Sequence, residues 1–236
     1  MGADTDLIIT ALKSLPPKPT DAGKQAYSQR MSTAIANALS EALRGRGLSS
    51  TRPAPPGSLD SSGAERRMAG GIGDKKVDVT WATEEGGLLL ALSIKTINFR
   101  DSVTGNYQKN FTNRRGDMLF EAVTLHRRFP YAVLGGLFFF DHGAANDDTT
   151  GRRSTFINAH AGLRLFTGRD DPAGRDEQFE RFYVGLVDAT PFNASVQFTV
   201  AGEPDRTVVL DELVDLVAAR NPDAYEARDG QLTKRR

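Results

Sequence analysis

The stretch "KKVDVTWATEEGGLLLALSIKT", Lys75 to Thr96, constrains the fold more than any other part of the chain. Two apolar runs flank "EEGG", so the segment reads as a β-hairpin with arms at 75–83 and 87–97. With Glu85 and Gly86 as the central turn residues, Asp78 pairs with Ser93, and Lys95 lies diagonal to Asp78 on the same face. Alternation puts Val77, Val79, Trp81, Leu88, Leu90, Leu92 and Ile94 on one wholly apolar face. Asp78, Thr80, Ala82, Leu89, Ala91, Ser93 and Lys95 fall on the other, with the polar groups gathered at one end. A one-residue slip would scatter them.

The flanking sequence supplies layers for such a hairpin. Residues 4–15 predict a short helix that ends at "PPKP", and Met31, Ile35, Leu39 and Leu43 mark a longer amphipathic helix from Thr20 or Asp21 to about Arg46. "GRGLSSTRPAPPGSLDSSG" predicts a flexible surface loop. After the hairpin, a helix is expected near 114–128, and "PYAVLGGLFFFD" reads as a central strand covered on both faces. Residues 154–166 read as helical, "FERFYVGLVDA" and "ASVQFTVAG" as strands, and "TVVLDELVDLVAAR" as a helix, with "GQLTKRR" a frayed tail. The order predicts an α/β (α+β) fold, a mixed central β-sheet flanked by helices, in a single domain over 1–236.

Composition narrows the chemistry. The chain has no cysteine and three histidines, which excludes thiolate metal sites, disulfides and cysteine nucleophiles and argues against a multi-histidine centre. Thirty basic and thirty acidic residues cancel, so charge alone gives no case for a polyanionic partner. No apolar run is long enough to span a bilayer, and acids precede the short apolar stretch at the start, the wrong order for a signal peptide. The expectation is a cytoplasmic protein with no membrane partner.

Two readings of Asp78 and Lys95 compete. In one they form a cross-strand ion pair at the surface, worth about 0–1 kcal/mol. In the other the acid binds a hard divalent cation and the lysine orients or activates a water; magnesium takes few carboxylates and keeps several waters.

An aspartate entering one strand and an x-x-Lys ending its neighbour resembles the PD-(D/E)XK nuclease superfamily. "VDV" around Asp78 and "LSIKT" around Lys95 match its hydrophobic frame, and the helix and buried strand that follow match its core over residues 20–141. Residues 142–236 are then a C-terminal elaboration. The middle acid of the motif is here Ser93, a poor ligand for a hard cation. Some type II restriction endonucleases with a Ser-x-Lys element take the missing glutamate from the following helix, where "NRRGDMLFEAV" offers Glu121, with Asp117 one turn earlier as the alternative. The same enzymes contact DNA bases from the start of that helix, the place of Asn113, Arg114 and Arg115. Lys109 and Asn110 precede it in a polar loop that suits phosphate contact. A further acid from the first helix or its surroundings falls to Glu41, Glu65 or Asp74, and Arg66 and Arg67 stand beside Glu65. His142, after Asp141, reads as a loop residue.

The resemblance implies a Mg²⁺-dependent DNA endonuclease, with Mn²⁺ able to substitute. Asp78, the Ile94 carbonyl and Glu121 would hold the metal, and Lys95 would serve the attacking water. It also implies 5′-phosphate and 3′-hydroxyl products, and a homodimer or a subunit of a defence complex. The alternative is a non-catalytic DNA-binding or assembly subunit on the same fold, and Ser93 favours it.

Overall fold

A computed structural model describes residues 3–55, 57–58, 66–69, 74–149, 153–207 and 210–235. Among these the chain forms five α-helices: α1 (Ala3–Lys13), α2 (Lys24–Gly45), α3 (Gln108–His126), α4 (Thr155–Leu163) and α5 (Asp211–Arg220). The strands are β1 (Arg66–Ala69), β2 (Asp74–Val77), β3 (Val79–Thr83), β4 (Gly87–Ile97), β5 (Val133–Asp141), β6 (Arg181–Asp188), β7 (Ser195–Val200), β8 (Glu203–Thr207), β9 (Tyr225–Arg228) and β10 (Gln231–Lys234). One six-stranded sheet runs β3-β4-β5-β6-β7-β8, and β1–β2 and β9–β10 are separate antiparallel pairs. β5 is parallel to β4 and to β6, and the outer strands are antiparallel. The protein is therefore a mixed α/β structure with a parallel core. Among the described residues no helix is long and apolar enough to cross a membrane.

β5 lies at the centre because its side chains suit cover on both faces. Phe138 and Phe140 meet Phe111 of α3, with ring centroids 5.3 and 5.9 Å apart, while Phe139 points the other way and meets Phe198 at 5.1 Å. α3 and α4 cover the first face through Met118, Ala122, Leu125, Ala159 and Leu163. α1, α2 and α5 cover the second. On α2 the expected stripe of Met31, Ile35, Leu39 and Leu43 is buried against the sheet, at about 1.5–3 kcal/mol for each large side chain. The two parallel crossovers, through α3 and α4, bring the carboxyl ends of β4, β5 and β6 to one edge. In open α/β sheets that edge is where ligands bind.

The hairpin register holds at one end and shifts at the other. Val79 pairs with Leu92, Thr80 with Ala91 and Trp81 with Leu90, as expected, and the ladder stops before Asp78. Nearer the turn Ala82 pairs with Leu88 and Thr83 with Gly87. The turn is not the two-residue type. Thr83 and Gly87 enclose three residues, Thr83 Oγ1 accepts the Gly86 N–H at 2.9 Å, and Gly87 takes the left-handed conformation that closes such a loop (φ 65°). A bulge between Trp81 and Ala82, opposite Leu89, then restores the register. Leu88 and Leu89 exchange faces in consequence, and the bend at Asp78 sends Val77 to the α3 side. The second face is also no solvent face, since Thr80, Ala91 and Ser93 are buried.

Three further expectations need correction. α3 begins at Gln108, not near 114, because long-range and local caps extend it: Asp147 accepts the Tyr107 N–H at 3.0 Å and Asn106 accepts the Gln108 N–H at 3.1 Å. The segment after α2 is partly packed. Leu48 and Thr51 are buried, and Arg52 pairs with Thr80 along the open edge of β3. "GQLTKRR" is not frayed: Gln231–Lys234 forms β10, buried Leu232 donates its N–H to the Arg46 carbonyl at 2.8 Å, and Tyr225 of the partner strand packs edge-on to Trp81 at 5.3 Å.

Candidate active site

Asp78 stands in the bend between β2 and β3, just where the ladder to β4 would continue. Its side chain takes over that role. Oδ2 accepts the Ile94 backbone N–H at 2.6 Å. In an antiparallel ladder the N–H and C=O of one residue face the same neighbour, so the Ile94 carbonyl is directed to the flank of Asp78. Lys95 is the next residue, on the opposite face of β4 from Ile94. Among the described residues Lys95 has no ion-pair partner, so the surface ion pair with Asp78 is not formed.

Asp78, Ile94 and Lys95 line one polar cleft of about 590 Å³ at the carboxyl end of β4. Lys24 and Ser28 of α2 form one wall, and Arg100, Asn110 and Arg114 form another. The α2 wall is tied to the strand: Ser32 and Thr96 hydroxyls lie 3.1 Å apart, and Asn98 Nδ2 donates to Ser28 Oγ at 3.1 Å. Lys24, Lys95, Arg100 and Arg114 line the cleft together with Asp78 and Asp101. A net-positive cleft of this kind focuses an anionic ligand even when the whole chain is neutral.

The other candidate residues are distributed more widely. Ser93 is 2% exposed, and its hydroxyl has no hydrogen-bond partner among the described residues. Glu121 is buried on the face of α3 that carries Met118, Ala122 and Leu125, and it does not line the cleft. Asp117 is exposed, 3.8 Å from Arg114. Asn113 is exposed, and Arg115 stacks over Phe111 at 5.7 Å. With α3 starting earlier, these residues lie a full turn inside the helix instead of at its start, and Lys109 and Asn110 occupy its first turn. Lys109 pairs with Asp101 at 3.0 Å. Glu41 lines a separate groove between α1 and α2. Glu65 lies outside the described residues, and Asp74 is the first residue of β2. Arg66 and Arg67 lie in β1. His142 is exposed.

Asp141, at the end of β5, is held by Lys18 at 2.5 Å, by the Tyr107 hydroxyl at 2.7 Å and by the Gly143 N–H at 3.0 Å. Burial pushes its carboxyl up, but these partners outweigh burial and hold it below its ordinary value. Burial, then the hydrogen bond to Asp141, push the Tyr107 phenol well up.

Lys24, Ser28, Asn98 and Arg100 were not singled out from the sequence. A signal for the first two was present. Lys24, Gln25, Ser28, Gln29 and Ser32 recur at helical spacing beside the Met31/Ile35 stripe, and all of them line the cleft. Asn98 and Arg100 depended on how far β4 extends.

Among the described residues no group of three or more His, Asp, Glu or Cys side chains is placed to hold a metal. The hard oxygen donors available on Asp78 and Ile94, which both line the cleft, are a carboxylate and a backbone carbonyl. They fit magnesium in kind, with water and phosphate completing the shell, and they do not fit zinc. No protein-family model matches the chain, and neither a curated protein nor a solved structure does.

Proposed function

We propose that the chain is a Mg²⁺-dependent DNA endonuclease with a restriction endonuclease-like core. One observation carries the proposal: Asp78, bonded to the Ile94 N–H, and Lys95, without an ion-pair partner among the described residues, line one basic cleft at the carboxyl edge of the sheet. The order of hairpin, α3 and a strand parallel to β4 supports it, as that superfamily builds its core in this order.

Asp78 and Ile94 would hold the metal, which supplies an acidified water and offsets phosphate charge. Lys95 Nζ orients the attacking water and counters the negative charge that builds on the phosphate. Water loses a proton to solvent as its oxygen adds to phosphorus, the bond to O3′ breaks, and the O3′ alkoxide takes a proton from solvent. The products are a 5′-phosphate and a 3′-hydroxyl. Lys24, Arg100 and Arg114 hold the flanking phosphates. Glu121 is the proposed second acid. It sits on the helix that borders the cleft, so its role requires α3 to shift when DNA binds.

A second reading, a DNA-binding subunit without catalysis, is favoured by the buried Ser93 where the motif has an acid. Plasmid cleavage in Mg²⁺ by the wild type, lost in Asp78→Ala and in Lys95→Ala, is the expected result. Binding without cleavage on methylated, unmethylated and single-stranded DNA supports the second reading instead.

A further inference from the structure

The loop from β4 into α3 carries an apolar tip that stands out from the fold. Val103 is 85% exposed. Its loop is nevertheless tightly pinned. Asp101 Oδ1 accepts the N–H of Val103 at 3.1 Å, the N–H of Thr104 at 3.0 Å and the Thr104 hydroxyl at 3.2 Å. Asp101 Oδ2 takes the Lys109 ammonium at 3.0 Å. The backbone closes behind it, with Asp101 N–H to Asn106 O at 2.8 Å and Gly105 N–H to Asp101 O at 2.9 Å. The Thr104 N–H, then Lys109, hold the Asp101 carboxyl down to about 2, so the pin stays charged at any working pH.

The position of the loop gives this tip a use. Arg100, Asp101 and Ser102 line the same cleft as Asp78 and Lys95, so nucleic acid lying in the cleft runs past Val103. Valine is stiff at χ1. A stiff side chain on a pinned loop enters a partner with little ordering cost. Apolar side chains presented this way part base steps and kink duplex DNA. Phe192, 96% exposed in the turn after β6, reaches the same edge of the sheet, but its turn does not line the cleft.

We propose that Val103 is a wedge that inserts between bases of duplex DNA beside the cleavage site. The proposal rests on the nuclease reading and adds a distortion step to it. The test uses full-length Lys95→Ala protein and a short duplex, taken from around a cut made by the wild type, with 2-aminopurine in place of adenines. Binding is expected to raise 2-aminopurine fluorescence as a base unstacks. Adding Val103→Ser should abolish the rise and weaken duplex binding about tenfold, while adding Phe192→Ser should leave both unchanged. A rise that survives Val103→Ser, or is lost only with Phe192→Ser, overturns the wedge. So does DNA that is cut by the wild type while its bases stay stacked. A wild-type protein that neither cuts nor binds DNA overturns the nuclease reading, and the wedge with it.

Discussion

The Asp78 carboxylate accepts the backbone N–H of Ile94 at 2.6 Å, so one acid both completes the β3–β4 ladder and faces the cleft. The two roles separate by substitution. Asp78→Ala leaves the Ile94 N–H without its partner and should cost about 1–3 kcal/mol of stability. Asp78→Asn keeps an acceptor there and should melt close to the wild type. Both should lose cleavage, since neither offers a carboxylate to a cation. Thermal melts beside a plasmid assay check this; an active Asp78→Asn would remove the acid from the mechanism.

Lys95 has no ion-pair partner among the described residues, so its loss should register in chemistry and not in folding. Lys95→Ala should reduce cleavage about a hundredfold or more, with unfolding in urea within about 0.5 kcal/mol of the wild type. Single-turnover rates at saturating protein make the comparison. The paired substitutions Glu121→Gln and Asp117→Asn ask which helix acid assists, and only the former should slow the reaction.

Asp147 ties two helix starts together. Its carboxylate accepts the Tyr107 N–H at 3.0 Å, the Thr155 N–H at 2.7 Å and the Thr155 hydroxyl at 2.6 Å, all out of water. Asp147→Ala strands these donors at the N-termini of α3 and α4, and should cost about 2–4 kcal/mol. Urea unfolding measures it, and faster amide exchange in the first turns of both helices should accompany it.

Gly47 has φ 92°, and a Cβ there would lie 2.2 Å from the Leu232 carbonyl oxygen. Gly47→Ala should therefore push β10 off Arg46 and lower Tm by several degrees, a loss of about 1–3 kcal/mol. Truncation before β9 should remove most of that difference between glycine and alanine, because the clash partner is gone.

Acid sensitivity follows from Asp141 and Glu180, whose carboxyls both sit below their ordinary values of 3.8 and 4.5. For Glu180 burial works against ionisation, but His126, Arg220 and the Leu134 N–H outweigh it. A depressed carboxyl contributes stability that is present above its unfolded pKa and is lost as pH falls through the folded one. Stability should thus decline below about pH 4.5. Asp141→Asn should flatten the lower part of that decline, in urea titrations run at successive pH values.

Much of this architecture was legible because it is periodic. The α2 stripe, the doubly covered β5 and the strands after it follow from the spacing of apolar residues. What escaped depends on contacts distant in sequence. The start of α3 is set by Asp147, and the fate of the tail by Arg46 and Trp81, which no local pattern announces. The juxtaposition of Asp78 and Lys95 was readable from hairpin register. The α2 wall of the cleft was readable only as a polar face with no stated purpose, until the sheet brought it beside β4.

The hairpin contains two opposite offsets, the extra turn residue and the bulge at Leu89, and they cancel before Asp78. Length changes at Glu84–Gly86 thus have somewhere to be absorbed. The tip of this hairpin is a tolerant graft point for a dye or peptide, while the acid and amine at its far end keep their alignment.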